Sequence, residues 1–326
     1  MKKSSAVCWA IATASAIVGF APAVHAQPAY PSKPVRIVVP FPPGGTNDIV
    51  ARLVASDVSK TMGQQFVIDN RGGASGVIGA EALARAAPDG YTIMVHSVSH
   101  LTNSFSYAKL PYDTFRDFEP IALLAAQPYV LVVHPSLPPK SVKEFIALAK
   151  ARPNQLTYAS NGEGGGPHVF MSLFASMANI QMIHVPYKGG GPMATSLMSG
   201  ETQCAMATVG SMLPVLRAKR VRALGVASKN RSRIMPDVPT IAEAVLPGYS
   251  MDACIGSFAP AKTPKAIVDR LHDEFNKILK RPEFGKLMAD QGVEPWPATQ
   301  QEFVAQMKSD YEKYQKVFKI IGTPKN

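Results

Sequence analysis

The chain lacks any block of five or more like charges, any long downstream apolar run, and the usual signatures of catalysis. Each absence excludes something. Nucleic-acid-binding proteins gather Lys and Arg on one face, whereas here the net charge of +11 is dispersed along the chain. Nucleic acid is therefore not the expected partner, although the positive field suits anions arriving by diffusion. After the first residues, the longest apolar stretch runs from Ile121 to Val133. It is broken by Gln127 and Pro128, is too short to cross a bilayer, and reads as a buried strand. Cysteine is scarce. Only Cys204 and Cys254 lie beyond the N-terminal segment. Their apolar surroundings suit buried free thiols, while an oxidising compartment would permit a bridge.

No Gly-x-Ser-x-Gly elbow occurs, and no Walker A lysine motif. The Gly162-Glu-Gly164-Gly-Gly166-Pro167 loop puts proline where a dinucleotide fingerprint needs its third glycine. His96 and His100 are four apart but directly follow a strand and have no third ligand nearby, so a metal is not expected. His168 and His184 read as hydrogen-bonded loop or strand residues. An enzyme is not indicated, and no cofactor is expected.

What is present begins at the N-terminus. Lys2 and Lys3, the apolar run Ala6 to Phe20 and the small-residue ending Val24-His25-Ala26 form a secretory signal peptide. Residues 1–26 are therefore the expected leader, and Cys8 lies inside its apolar run. The remaining length suits two domains. Apolar β-branched runs alternate with helical patterns, the signature of an α/β fold with parallel strands. Strands are expected at Val35 to Val39, Phe66 to Ile68, Tyr91 to Val95, Tyr129 to Val133, Leu156 to Ala159, Met182 to Val185, Cys204 to Thr208, Arg222 to Val226 and Ile255 to Ala261. Capping boxes at Ser141–Glu144, Thr240–Glu243 and Thr299–Glu302 mark helix starts, as does Thr263-Pro264. Crossovers near residues 125 and 250 would divide the chain into a first domain of 27–127, a second of 128–249, and a return to the first over 250–326.

Several strand ends lead through glycine-rich turns into helix starts. Pro43 to Asp48, Ser160 to His168 and Tyr187 to Met193 are the three main cases, and Ser97-Val-Ser99-His100 adds a polar strand end. In open α/β sheets ligands sit beyond the carboxyl ends of strands, and helix starts there present free N–H groups to anions. Several such starts together point to a binding cleft for a small anion.

These same loops resemble a known family. Val39-Pro-Phe-Pro-Pro-Gly-Gly-Thr-Asn-Asp48, Asp69-Asn-Arg-Gly-Gly-Ala-Ser-Gly76, Ala87-Pro-Asp-Gly-Tyr-Thr92, Leu110-Pro-Tyr-Asp113, His184-Val-Pro-Tyr-Lys-Gly189, Pro236-Asp-Val-Pro-Thr240 and Phe258-Ala-Pro-Ala-Lys-Thr-Pro264 are similar to motifs of the Bug family. These are the substrate-binding proteins of tripartite tricarboxylate transporters, and the similarity spans essentially all of the chain after the leader. The resemblance implies a type II periplasmic binding protein, two α/β domains joined by two crossover strands with the ligand cleft between them. It implies a periplasmic, monomeric receptor that takes a small carboxylate to the membrane permease of a tripartite transporter. The alternative is a receptor that signals through a membrane sensor. Phe41, Gly44, Gly45, Thr46 and Asp48 match the first-domain binding loop, and Ser160, His168, Tyr187 and Lys188 match second-domain cleft positions. Ser97, His100, Asn161, Gly190 and Thr208 complete the candidate ligand-binding set. Ala207 stands where the family commonly has an acid, which argues against ligands bearing an ammonium group.

Overall fold

The computed structural model describes residues 30–322; the leader at 1–26 lies outside them. Eleven strands run through the described residues: β1 (Val35–Val39), β2 (Phe66–Asn70), β3 (Thr92–His96), β4 (Phe118–Ala126), β5 (Tyr129–Val133), β6 (Thr157–Ser160), β7 (Ile183–Pro186), β8 (Cys204–Thr208), β9 (Arg222–Val226), β10 (Cys254–Pro260) and β11 (Glu294–Pro295). They form two sheets and hence two lobes. The first has the order β11-β4-β10-β3-β1-β2 and the second β7-β6-β8-β5-β9.

Both sheets are mixed. β1, β2 and β3 are parallel, as are β6, β7 and β8, and within each set a helix links one strand to the next. β10 lies antiparallel to β3 and β4, and β5 antiparallel to β8 and β9. The run Ile121 to Val133 is not one strand. Gln127 and Pro128 separate β4 in the first sheet from β5 in the second, because proline cannot donate to a ladder and the chain changes lobes there. The return passes from β9 to β10. Between the crossovers, the Gln127 N–H donates to the Ala253 carbonyl at 2.8 Å.

Residues of the central strands are apolar on both faces, as sheets covered by helices on both sides require. Val35, Ile37 and Val39 face one cluster with Val268, Leu271 and Phe275, while Val38 faces another with Val77 and Leu83. Leu131 and Val133 likewise pack with Phe170 and Phe174, and Val130 and Val132 with Met193 and Met212. The period of two sets these faces. Ala207 belongs to this last cluster and is fully buried. Its side chain points into the core of the second lobe, so the missing acid carries no information about ligand charge.

The helix Thr46–Met62 ends on Gly63, whose φ of 70° gives the left-handed cap its sequence suggests. Thr240 and Thr299 form complete capping boxes. At Ser141 the box is half made: its hydroxyl accepts from Glu144 N–H at 3.2 Å, but the Glu144 carboxylate reaches back to Lys140 N–H. Thr263 does not cap; its hydroxyl donates to the Pro260 carbonyl, and the helix Lys265–Leu279 starts after Pro264. Cys204 and Cys254 are free thiols in different sheets.

Candidate functional site: a cleft ringed by helix starts

The parallel strands of both sheets deliver their carboxyl ends to one place. From the first lobe, β1 leads into Thr46–Met62 and β3 into Ser99–Ser106. From the second, β6 leads into Gly166–Ala178, β7 into Gly190–Ser199 and β8 directly into Val209–Arg217. Gly45, Gly165 and Gly189 occupy the N-cap positions of three of these helices, and none has a side chain to satisfy the first free N–H groups. Thr208 does cap its helix, accepting from Ser211 N–H.

These ends surround a cavity of about 30 Å³, room for a water molecule or two. Its walls include Phe41, Gly45, Thr46 and Ser97 from the first lobe, and Asn161, Gly190 and Thr208 from the second. Seven residues of the sequence-derived set therefore converge. Asn47, Gln127, Tyr129, Pro167, Met193 and Ser211 complete the wall; sequence reasoning did not select them. The wall contains no carboxylate, amine, guanidinium or imidazole. Three of its hydroxyls are linked in a chain: Thr46 Oγ1 and Thr208 Oγ1 are 2.7 Å apart across the cleft, and Thr208 Oγ1 and Ser211 Oγ are also 2.7 Å apart.

The rest of the set lies around the cavity. Asp48 is buried beneath the first loop, where its carboxylate accepts from Gly44 N–H (3.0 Å), Arg52 Nε (2.9 Å) and Asn70 Nδ2 (3.0 Å). Burial alone would raise its pKa, but the Arg52, Asn70 and Gly44 bonds together lower it. Asp48 and Gly44 thus brace the loop from behind instead of facing the cavity. His100 is buried among Tyr112, Phe118 and Phe258, and burial holds its pKa down at about 4. Tyr187 packs against the apolar cluster beneath the second sheet, and Lys188 is exposed.

Ser160 and His168 hold the second-lobe loop. Ser160 Oγ donates to the Gly162 carbonyl and lies 2.7 Å from His184 Nε2, while His168 Nδ1 accepts from Gly164 N–H at 3.0 Å. The His168 and His184 rings stack 4.1 Å apart at 8°. Burial and the neighbouring His168 push His184 down to about 3, so both imidazoles are neutral near pH 7. With Glu163 they are the one group of three possible metal-binding side chains among the described residues. One nitrogen of each ring is already engaged in a hydrogen bond of this loop region, so the pair supports the loop.

The lobes meet around the cavity through second-lobe glycines. A Cβ at Gly210 would lie 2.9 Å from Thr46 Cγ2, one at Gly189 2.9 Å from Pro42, and one at Gly162 2.7 Å from Ser75 Oγ. Thr102 Oγ1 donates to the Gly164 carbonyl at 2.9 Å, and Ser75 Oγ to the Glu163 carbonyl at 2.5 Å. A wider groove of about 520 Å³ lies behind the hinge, between Trp296 and the loop 228–233. None of its lining residues falls in the first turn of a helix, and its Arg231 is paired with Glu243 at 3.1 Å.

Two α/β lobes, two crossovers and an anion-suited cleft between them define the periplasmic-binding-protein class of solute receptor. Residues 50–323 match the model of the tripartite tricarboxylate transporter family receptor. The chain belongs to that family, which includes the Bug proteins. It is 39 % identical over 290 residues to the UPF0065 protein in the tcbD-tcbE intergenic region of Pseudomonas sp. (strain P51), covering 89 % of this chain and 86 % of that one. It is 35 % identical to BugT of Bordetella pertussis, covering 87 % of each. Among solved structures, an R. palustris protein with adipate superposes with a TM-score of 0.88 at 35 % identity, covering 90 % of this chain and 98 % of that one. MatC from Rhodopseudomonas palustris with bound malate gives 0.84 at 32 % identity, covering 88 % and 99 %. No helix among the described residues is long and apolar enough to cross a membrane.

Proposed function

We propose that this protein is a periplasmic receptor that holds a small organic carboxylate in the cleft and passes it, unchanged, to the permease of a tripartite transporter. The observation that carries the proposal is the convergence of three helix starts without side-chain caps on one cavity whose wall has no fixed charge. Each such start contributes about 0.3–2 kcal/mol toward an anion, so several together supply a good part of the roughly 8 kcal/mol of micromolar affinity. Adipate in one similar structure and malate in another support the ligand class. The wall has no nucleophile paired with a base, since no histidine, lysine or carboxylate lines it. That favours binding without conversion. A cavity of about 30 Å³ must widen to take such a ligand, so the two lobes open about the crossovers and close on it.

A thermal-shift screen of the chain from residue 27 onward, unfolded and refolded to release any carried ligand, tests this. A carboxylate at a hundred times its Kd should stabilise the fold by about 2.7 kcal/mol. Loss of uptake of that acid on gene deletion completes the case. Failure of every small carboxylate to shift the melt would overturn the ligand class, and uptake undiminished by deletion would move the protein to sensing.

A further inference from the structure

The cavity wall is unequally supplied with donors and acceptors. Donors are plentiful at the helix starts. Three acceptors, however, have no donor at all: Asn47 Oδ1, Gln127 Oε1 and Asn161 Oδ1 are buried without a hydrogen-bond partner. All three residues line the cavity; Asn47 and Gln127 are each only 4 % exposed, whereas Asn161 is half-buried. Asn47 lies in the first turn of the helix Thr46–Met62, and its Nδ2 donates to Ser97 Oγ at 3.2 Å, which turns Oδ1 away from that bond. Gln127 stands in the crossover, its backbone fixed by the bond to Ala253.

An amide oxygen in a desolvated site needs a donor. An ionised carboxylate has none, because its oxygens only accept. A ligand made of carboxylates and methylenes would therefore use the helix starts but set acceptor against acceptor at Asn47 and Gln127. A hydroxyl supplies a donor to one of them. An ammonium would also donate, but no carboxylate in the wall could balance its charge, and Asp48 nearby is already committed to Arg52 and Asn70.

Building on the carboxylate reading above, we infer that Asn47 and Gln127 select hydroxycarboxylates, acids bearing a hydroxyl beside the carboxylate, over their deoxy counterparts. The two amides are specificity-determining residues of the cleft. A site built to bond a hydroxyl discriminates against the analogue lacking it because its own polar groups are then stranded.

Calorimetric titration of the ligand-freed protein with matched pairs tests this: malate and succinate, 2-hydroxyglutarate and glutarate, citrate and tricarballylate, with aspartate alongside. In the pair that fits the cleft, the hydroxy acid should bind about tenfold or more tightly, and aspartate should fall below malate. Gln127→Met and Asn47→Leu, each checked for an intact melt without ligand, should bring the ratio toward one. If a variant does not fold, the wild-type ratio still decides the ligand class. A deoxy acid binding as tightly as its partner would overturn the inference and leave the carboxylate reading standing. A hydroxyl preference surviving in both folded variants would overturn the assignment to these residues. Aspartate outranking malate would replace the hydroxyl with an ammonium. Binding of no member would remove the carboxylate reading and the inference together.

Discussion

Three helix starts at the cleft and three away from it solve the same backbone problem in opposite ways. Every helix start leaves its first N–H groups without partners. Away from the cleft Ser141, Thr240 and Thr299 provide a side-chain oxygen, and the start is closed within the chain. At the cleft, Gly45, Gly165 and Gly189 provide none. Thr208 lies between the two cases: it caps its own helix, yet its hydroxyl also reaches Thr46 across the cleft. Capping would add stability at each of the three open starts, and it would also occupy the groups that a carboxylate needs. Binding capacity here is local stability left unused.

The sharpest way to break this comparison is to cap a cleft helix from within. Gly45 has an ordinary φ of −79°, and a Cβ there would have no neighbour closer than 3.8 Å. Gly45→Asp should fold with an equal or higher melting temperature and lose about a hundredfold in carboxylate affinity, since its own anion takes the helix start and repels the ligand. Unchanged affinity by titration would show that this start does not meet the ligand.

A smaller effect is expected from spoiling the contact between lobes. Gly210→Ala places a methyl 2.9 Å from Thr46 Cγ2 and 3.0 Å from the Gln291 carbonyl, both in the other lobe, without a strained φ. Affinity should fall about tenfold, and small-angle scattering at saturating ligand should report a wider particle than wild type. Scattering identical to wild type would show that the seam does not govern closure.

Smallest is the effect at a start away from the cleft. Thr299→Ala removes the hydroxyl half of a capping box, the acceptor for Glu302 N–H, and leaves the half donated by the backbone N–H of residue 299; it should cost about 1 kcal/mol of stability, a fall of about 2 °C in Tm, with ligand affinity unmoved. A change in affinity there would erase the distinction between the two kinds of helix start.

Much of this arrangement is legible in the sequence, and the illegible part has a physical cause. β1, β5, β8 and β9 fall where their apolar runs place them because both faces are buried and nothing local competes. The glycine loops likewise identify the helix starts that reach the cavity. Orientation is harder to read. Asp48 and Tyr187 lie in the right loops, but whether a side chain turns inward depends on partners far away in sequence, Asn70 for one and the second-sheet cluster for the other. Tyr129, Met193 and Ser211 enter the wall only because two sheets meet. Gln127 carried a signal that periodicity treats as noise: a polar residue before proline, interrupting an apolar run, marks both the change of lobe and a wall of the cavity.

The threading of the sheets also bears on how the molecule is assembled. β5 to β9 form the second sheet without interruption, but the first cannot be completed until β10 arrives to fill the gap between β3 and β4. As the nascent chain lengthens, the second lobe is the earliest unit able to fold as a whole. β4, with Ile121, Leu123 and Leu124 destined for full burial, must wait more than a hundred residues for its neighbour. An unpaired apolar strand held open that long invites wrong pairing between chains. The step of folding expected to be most exposed to aggregation is therefore the insertion of β10, the strand that also closes the return crossover.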